Sequence, residues 1–200
     1  MQTIPASGLV MWFSLDKKNK VKRQGLIKIR LTFSAEKNKK VAAQEHRHLL
    51  RILLMHELEL SKVAPYWWSG KFSSQGESVI VQHSAQSGLT LPDCALIQWS
   101  VYTGIHADHP LSFGLFECLL DKIIRPIQSD SLSTDELKMF WDGVRKLLPS
   151  CFSVIRKIRK KTAGDKNSVK VLTEVLSIIS KIALLEPPAD TDLFPKNIYG

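Results

Sequence analysis

The chain has 200 residues, 44% of them hydrophobic, and a formal net charge of +9; this apolar content supports a packed core and excludes wholesale disorder. No run of about 18 apolar residues occurs, so no segment reads as a membrane-spanning helix, and the first ten residues lack the basic start of a secretory signal. The charge is uneven: residues 1–48 hold 11 Lys/Arg and 3 Asp/Glu, net +8, whereas residues 49–200 hold 17 and 16, net +1.

The first element in chain order is a β-hairpin over Trp12 to Phe33. Ile27, Ile29, Leu31 and Phe33, with Leu26 before them, alternate with Lys28, Arg30 and Thr32, the period-2 pattern of a half-buried strand. Nothing else in the chain reads this way. An isolated hairpin is marginal in water, so the pattern implies a sheet whose other strands lie elsewhere. Its loop carries Lys17, Lys18, Lys20, Lys22 and Arg23. That cluster reads either as a contact for an anionic membrane or acidic partner, or as a solvated loop. It has no interleaved aromatics and the remaining chain is almost neutral, so nucleic acid is not expected as a partner.

After a basic linker from Ser34 to Lys40, the period changes. The spacing of Leu49, Leu50, Leu53, Leu54, Leu58 and Leu60 predicts a helix from about Ala42 to Ala64, stopped by Pro65. A second helix is expected from Ser74, with Ser74 and Glu77 as a capping box and Gly88 as the stop. A third is expected from Pro92 to Thr103, with Gly104 beyond it. A fourth is expected from Ser112 to Arg125, closed by Pro126. Ser133 and Glu136 form a second box before a long helix that Pro149 should kink or break. The last helix is expected over Asn167 to Leu185, ended by Pro187-Pro188. No internal repeat is evident.

Sequence motifs for catalysis are absent. His46, His48 and His56 lack the spacing that places two ligands on one helical face, and position 60 is Leu60, so there is no zincin motif. These histidines are expected on the polar face or its boundary. Gly70-Lys71 is preceded by Pro65 where a phosphate loop needs glycine. Cys94, Cys118 and Cys151 are odd in number and in apolar helical contexts, as expected of reduced core cysteines. Trp67 and Trp68 read as core or inter-helix plugs. A second basic cluster, Arg156, Lys157, Arg159, Lys160 and Lys161, either complements a helix C-terminus or contacts an acidic protein or lipid. The residues thus describe a binding protein and not an enzyme.

Taken together, the order WFSL, basic loop, GLIKIRLTF, then EHRHLLRILLMHELEL, YWWSGKFSS, VIVQHSAQSGLTLPDCALIQWSVY and VKVLTEVLSIISKIALLE resembles the Unc-13 family. The likeness covers residues 9–187 and lies nearest the shorter branch, with unc-13 homolog D and the brain-specific angiogenesis inhibitor-associated homologue. It implies the end of a C2 domain running into the MUN-type helical region. The expected fold is mainly α: an elongated array of about six helices preceded by a β-hairpin remnant of a C2 β-sandwich. The implied domains are a truncated C2 hairpin over 1–34, a linker over 35–41, MUN-type helices over 42–186 and a loose tail over 187–200.

The resemblance further implies a cytoplasmic exocytosis factor, peripheral on secretory vesicle, late endosome or plasma membrane. Such factors tether and prime vesicles through anionic phospholipid and syntaxin/SNARE proteins; the alternative is a Rab small-GTPase effector or scaffold. Family C2 domains bind calcium through several loop aspartates. Here Asp16 is the sole acid near the hairpin before Glu36, so no cofactor, calcium included, is expected in this chain.

Overall fold

A computed structural model describes residues 9–15, 25–31, 38–159 and 165–187. The chain divides into two units, Met1–Asn38 and Lys39–Gly200. In the first, β1 (Leu9–Leu15) pairs antiparallel with β2 (Gly25–Leu31). The register sets Leu9 opposite Leu31, Met11 opposite Ile29 and Phe13 opposite Ile27. Opposed residues share a face, so one face of the hairpin is entirely apolar. The other alternates Val10 and Trp12 against Arg30 and Lys28, with the Lys28 ammonium 5.2 Å from the Trp12 ring centroid. Leu26 belongs to this mixed face and not with Ile27. Phe13, Ile27, Ile29 and Leu31 are exposed, which removes the burial that normally stabilises a strand pair. Thr32 and Phe33 lie outside the described residues.

The second unit contains, among its described residues, α1 (Lys39–Ser61), α2 (Ser74–Ser87), α3 (Leu91–Ile105), α4 (Phe113–Gln128), α5 (Thr134–Ile158) and α6 (Lys166–Ala183). Helix α3 packs on α4 and α5, and both of these pack on α6, so four helices close a ring. Helix α1 lies against α3, and α2 lies against α1. Inside the ring, Trp99, Phe116, Leu120, Phe140, Trp141, Val144 and Ile178 are fully or almost fully buried.

Several boundaries differ from the sequence expectation. Helix α1 starts at Lys39 and ends at Ser61, before Pro65, because Lys62 takes a left-handed φ of 46°. Its Leu50 and Leu54 are fully buried, while Leu60 is exposed. The cap of α2 is Ser73, whose hydroxyl accepts from the Gly76 amide; Glu77 does not close the box expected one residue later. Gly88 does end α2, in the left-handed conformation. Thr90 and Asp93 form a capping box on α3, which starts at Leu91 and continues through Gly104 to Ile105. The Ser133–Glu136 box caps α5 as expected.

Neither proline ends its helix. Pro126 sits inside α4, which continues to Gln128, and Pro149 sits inside α5, which continues to Ile158. A helix-interior proline costs about 3 kcal/mol. Buried or half-buried side chains flank both: Ile123 and Ile127 around Pro126, and Leu147, Leu148, Cys151 and Val154 around Pro149. Burying one such side chain contributes roughly 1.5–3 kcal/mol, so a few of them outweigh the lost hydrogen bond.

The α3–α5 contact rests on a glycine. A Cβ at Gly143 would collide with the Trp99 indole nitrogen and lie 2.8 Å from its Cδ1 and 3.0 Å from Thr103 Oγ1. The absent side chain lets Trp99 insert, donate its N–H to the Phe140 carbonyl at 3.0 Å and stack on the Phe140 ring. Gly143→Ala is therefore expected to destabilise the chain by several kcal/mol, about 3 or more. Gly104→Ala, where a Cβ meets nothing within 4 Å, should stabilise it by about 0.5–1 kcal/mol. Chemical denaturation of the two variants checks the pair, and equal effects would refute the close-approach argument.

Candidate interaction surfaces

Two connections meet at one end of the helical unit. The segment between α1 and α2 is tied to the segment between α3 and α4 by two backbone bonds. The Tyr66 amide donates to the Pro110 carbonyl at 2.8 Å, and the Ser112 amide to the Trp68 carbonyl at 3.0 Å. Tyr66 has a positive φ of 71°, which turns the chain sharply there. Its ring stacks on Phe113 at 5.5 Å, and Trp68 meets Tyr102 and Phe72 edge-on. Tyr66 and Trp68 thus point inward, and Trp67 between them is 65% exposed. The expectation that both tryptophans are plugs holds for Trp68 and is corrected for Trp67. Three consecutive aromatics in an extended turn cannot all face one core.

His106 supports the same junction from below. It is 2% exposed and surrounded by Tyr66, Phe113 and Phe116. Its Nδ1 accepts the Leu111 amide at 3.0 Å, so its Nε2 carries the proton and donates to Ser150 Oγ at 2.8 Å. Burial pushes its pKa down to about 4. The sequence carried no signal for this residue, since a single histidine after a helix has no distinguishing spacing.

Beside Trp67 opens a cleft of about 470 Å³. Its walls come from Pro65 and Trp67, from the last turns of α5 (Val154, Lys157, Ile158) and from the first turns of α6 (Lys170, Val171). Two acids also line it, and each is already engaged. Asp165 caps α6, accepting from the Asn167 amide and the Ser168 hydroxyl. Glu174 accepts the Gly114 amide at 3.1 Å and so caps α4, whose own Ser112 side chain makes no cap bond.

The second basic cluster falls here in part. Arg156 and Lys157 occupy the last turn of α5, where cations complement the helix dipole, and Arg159 is its C-cap residue. All three are exposed. Lys160 and Lys161 lie outside the described residues, as do Lys17, Lys18, Lys20, Lys22 and Arg23 of the hairpin loop and the acid Asp16.

The histidines and cysteines separate by position. His48 and His56 are exposed, as their polar-face reading requires. His46 is not: it lies four residues before Leu50 and eight before Leu54, on the same buried face, and is fully buried. Its Nδ1 is 3.1 Å from His83 Nδ1 on α2, so one of the two rings must donate and the other accept. Burial, followed by the neighbouring His83, lowers its pKa. All three cysteines are free; Cys151 is buried and its thiol is pushed up to about 12, Cys94 is half-buried, and Cys118 is exposed. Cys118 is thus not a core residue, because its place on α4 turns away from the ring. Among the described residues no group of three or more His, Cys, Asp or Glu is placed to hold a metal, and no helix is long and apolar enough to cross a membrane.

What the geometry defines is an α-helical unit: a ring of helices around a buried aromatic core, with a cleft beside an exposed tryptophan at one end. Over all 200 residues the chain is 52% identical to Protein unc-13 homolog 4B of Drosophila melanogaster. It is 24% identical over 208 aligned residues to BAI1-associated protein 3 of Mus musculus, and 23% identical over 197 to BAI1-associated protein 3 of Homo sapiens. These alignments take in 100%, 96% and 94% of this chain. The chain belongs to the Unc-13 family, and it spans only 17–18% of the length of these relatives. No family model matches it, and no solved structure matches it significantly.

The buried histidines predict an acid-sensitive junction. His106 has a folded pKa below its unfolded value of 6.5. Its contribution is therefore fully present above pH 6.5 and is lost as pH falls toward about 4. The loss amounts to roughly 3 kcal/mol, and His46 acts in the same direction. The melting temperature followed by circular dichroism should drop through that window, and His106→Gln, which keeps a donor and an acceptor, should flatten the drop. A melting temperature that stays level from pH 6.5 to 4 would contradict the assignment.

Proposed function

We propose that this chain is a segment of a non-enzymatic, cytoplasmic, membrane-associated factor for regulated exocytosis, acting in vesicle tethering and priming. The observation that carries the reading is the 52% identity along all 200 residues to Protein unc-13 homolog 4B. The helical unit opens an MUN-type region, and its partners are syntaxin/SNARE proteins. The hairpin is the closing edge of a C2-type β-sandwich. Its support is the hairpin itself, with three apolar cross-strand pairs on one face, among which Phe13, Ile27 and Ile29 are exposed. A sheet face of this kind needs a second sheet to cover it. No observation favours the Rab-effector reading over this one.

On this reading the hairpin loop contacts anionic phospholipid. Each Lys or Arg near an anionic leaflet contributes about 1 kcal/mol, so replacing Lys17, Lys18, Lys20, Lys22 and Arg23 with Gln should weaken binding to phosphatidylserine vesicles by at least about tenfold. Unchanged co-sedimentation would remove the membrane contact. A pull-down with syntaxin tests the protein partner, and capture by nucleotide-loaded Rab alone would replace this reading with the effector one.

Calcium sites of the C2 kind need six to eight oxygen ligands, and Asp16 is the single acid near the hairpin before Glu36. Isothermal titration of the purified chain with calcium should show no site of micromolar affinity. One such site would overturn the placement of the hairpin outside the calcium-binding loops.

A further inference from the structure

The cleft beside Trp67 has features that the exocytosis reading does not use. Trp67 is 65% exposed although its connection is held by backbone bonds on both sides, from the Tyr66 amide to Pro110 and from the Ser112 amide to Trp68. A large side chain on a held backbone loses less freedom on binding than one on a mobile loop, and tryptophan is enriched at the centres of protein interfaces. The cleft below it joins apolar groups, Pro65, Ile158 and Val171, to the ammonium groups of Lys157 and Lys170.

Two lysines and two acids line it, and the acids are already engaged, which leaves Lys157 to meet an anion. Asp165 is taken up by the Asn167 amide and the Ser168 hydroxyl, and Glu174 by the Gly114 amide and by Lys170 at 3.9 Å. Lys157 makes no ion pair among the described residues. The first turn of α6, with its positive dipole end, also faces this cleft. Arg159 and Lys166 add exposed cations close by in sequence.

We infer that this cleft docks a short segment of a partner protein in which a bulky apolar residue stands beside an aspartate or glutamate. The apolar side chain packs on Trp67 between Pro65, Ile158 and Val171, and the carboxylate meets Lys157. A concave site of about 470 Å³ accepts two or three side chains, which suits a peptide better than a planar bilayer. The apolar wall sets it apart from a site for a simple anion. This inference stands on the cleft alone and is independent of the vesicle reading.

A randomised dodecapeptide library panned on the full chain, with the Trp67→Ala chain as counter-selection, tests it. Enriched peptides should place Trp, Phe or Leu within one or two positions of Asp or Glu. A labelled enriched peptide should lose about tenfold or more in affinity on Trp67→Ala and on Lys157→Glu, and keep it on Lys157→Arg. Trp67 is exposed, so Trp67→Ala should leave the melting temperature unchanged and separate lost binding from lost folding. No enrichment, enrichment of basic or uncharged peptides, or affinity indifferent to both substitutions would overturn the inference. So would Trp67-dependent sedimentation with phosphatidylserine vesicles, which would make the site a lipid contact. Trp67-dependent dimerisation would make it a contact between copies and would overturn it equally.

Discussion

Helix α3 can sit at the middle of this fold because one residue on α5 has no side chain. Trp99 occupies the space above Gly143, gives its N–H to the Phe140 carbonyl, stacks on Phe140 and meets Phe116 of α4 edge-on. One indole thereby fixes the spacing of three helices. The ring then closes through α6, whose Lys181 reaches Glu117 and Asp121 on α4 at 3.2 and 2.6 Å. These ion pairs are partly exposed and contribute little by themselves. The buried contacts carry the stability, and the ion pairs set which faces meet.

The junction at the end of the bundle follows from that arrangement. With α3 and α4 held by Trp99, the connection between them is short and must turn within a few residues. His106 closes this turn by accepting the Leu111 amide. The α1–α2 connection is then laid across it, hydrogen-bonded at Pro110 and Ser112. A tightly held loop on a rigid scaffold is the usual setting for a binding residue, and the outward Trp67 occupies that place. Distant packing thus decides the orientation of a surface side chain.

Much of this was legible in the sequence, for reasons that differ by element. The hairpin and six helices follow from period-2 and period-3.6 patterns, and the Ser133–Glu136 box and Gly88 stop from local chemistry. Pro126 misleads because its local cost points to a stop, while Ile127 secures the chain beyond it; at Pro149 helix continues on the far side through Cys151 to Ile158. Leu60 and Cys118 look like core residues in a window of neighbours but fall on outward faces. His46 could have been read correctly, since its spacing to Leu50 and Leu54 is that of a buried face. Trp67, His106 and Gly143 had no such signal. Each takes its role from a contact across more than 30 positions of sequence or from a loop geometry that tertiary packing imposes.

Helix α2 stands apart in one respect. Within the second unit it rests mainly on α1, and only Gly76 and Ile80 are buried along its 14 residues. Opening free energy scales with the apolar surface a segment covers, so α2 can peel away as a unit while the ring of α3 to α6 stays shut. The contacts that such an opening would break include the hydrogen bond between His46 and His83. The little apolar surface that α2 covers makes it the helix of this unit expected to open first, and its amide hydrogens should exchange before those of α3.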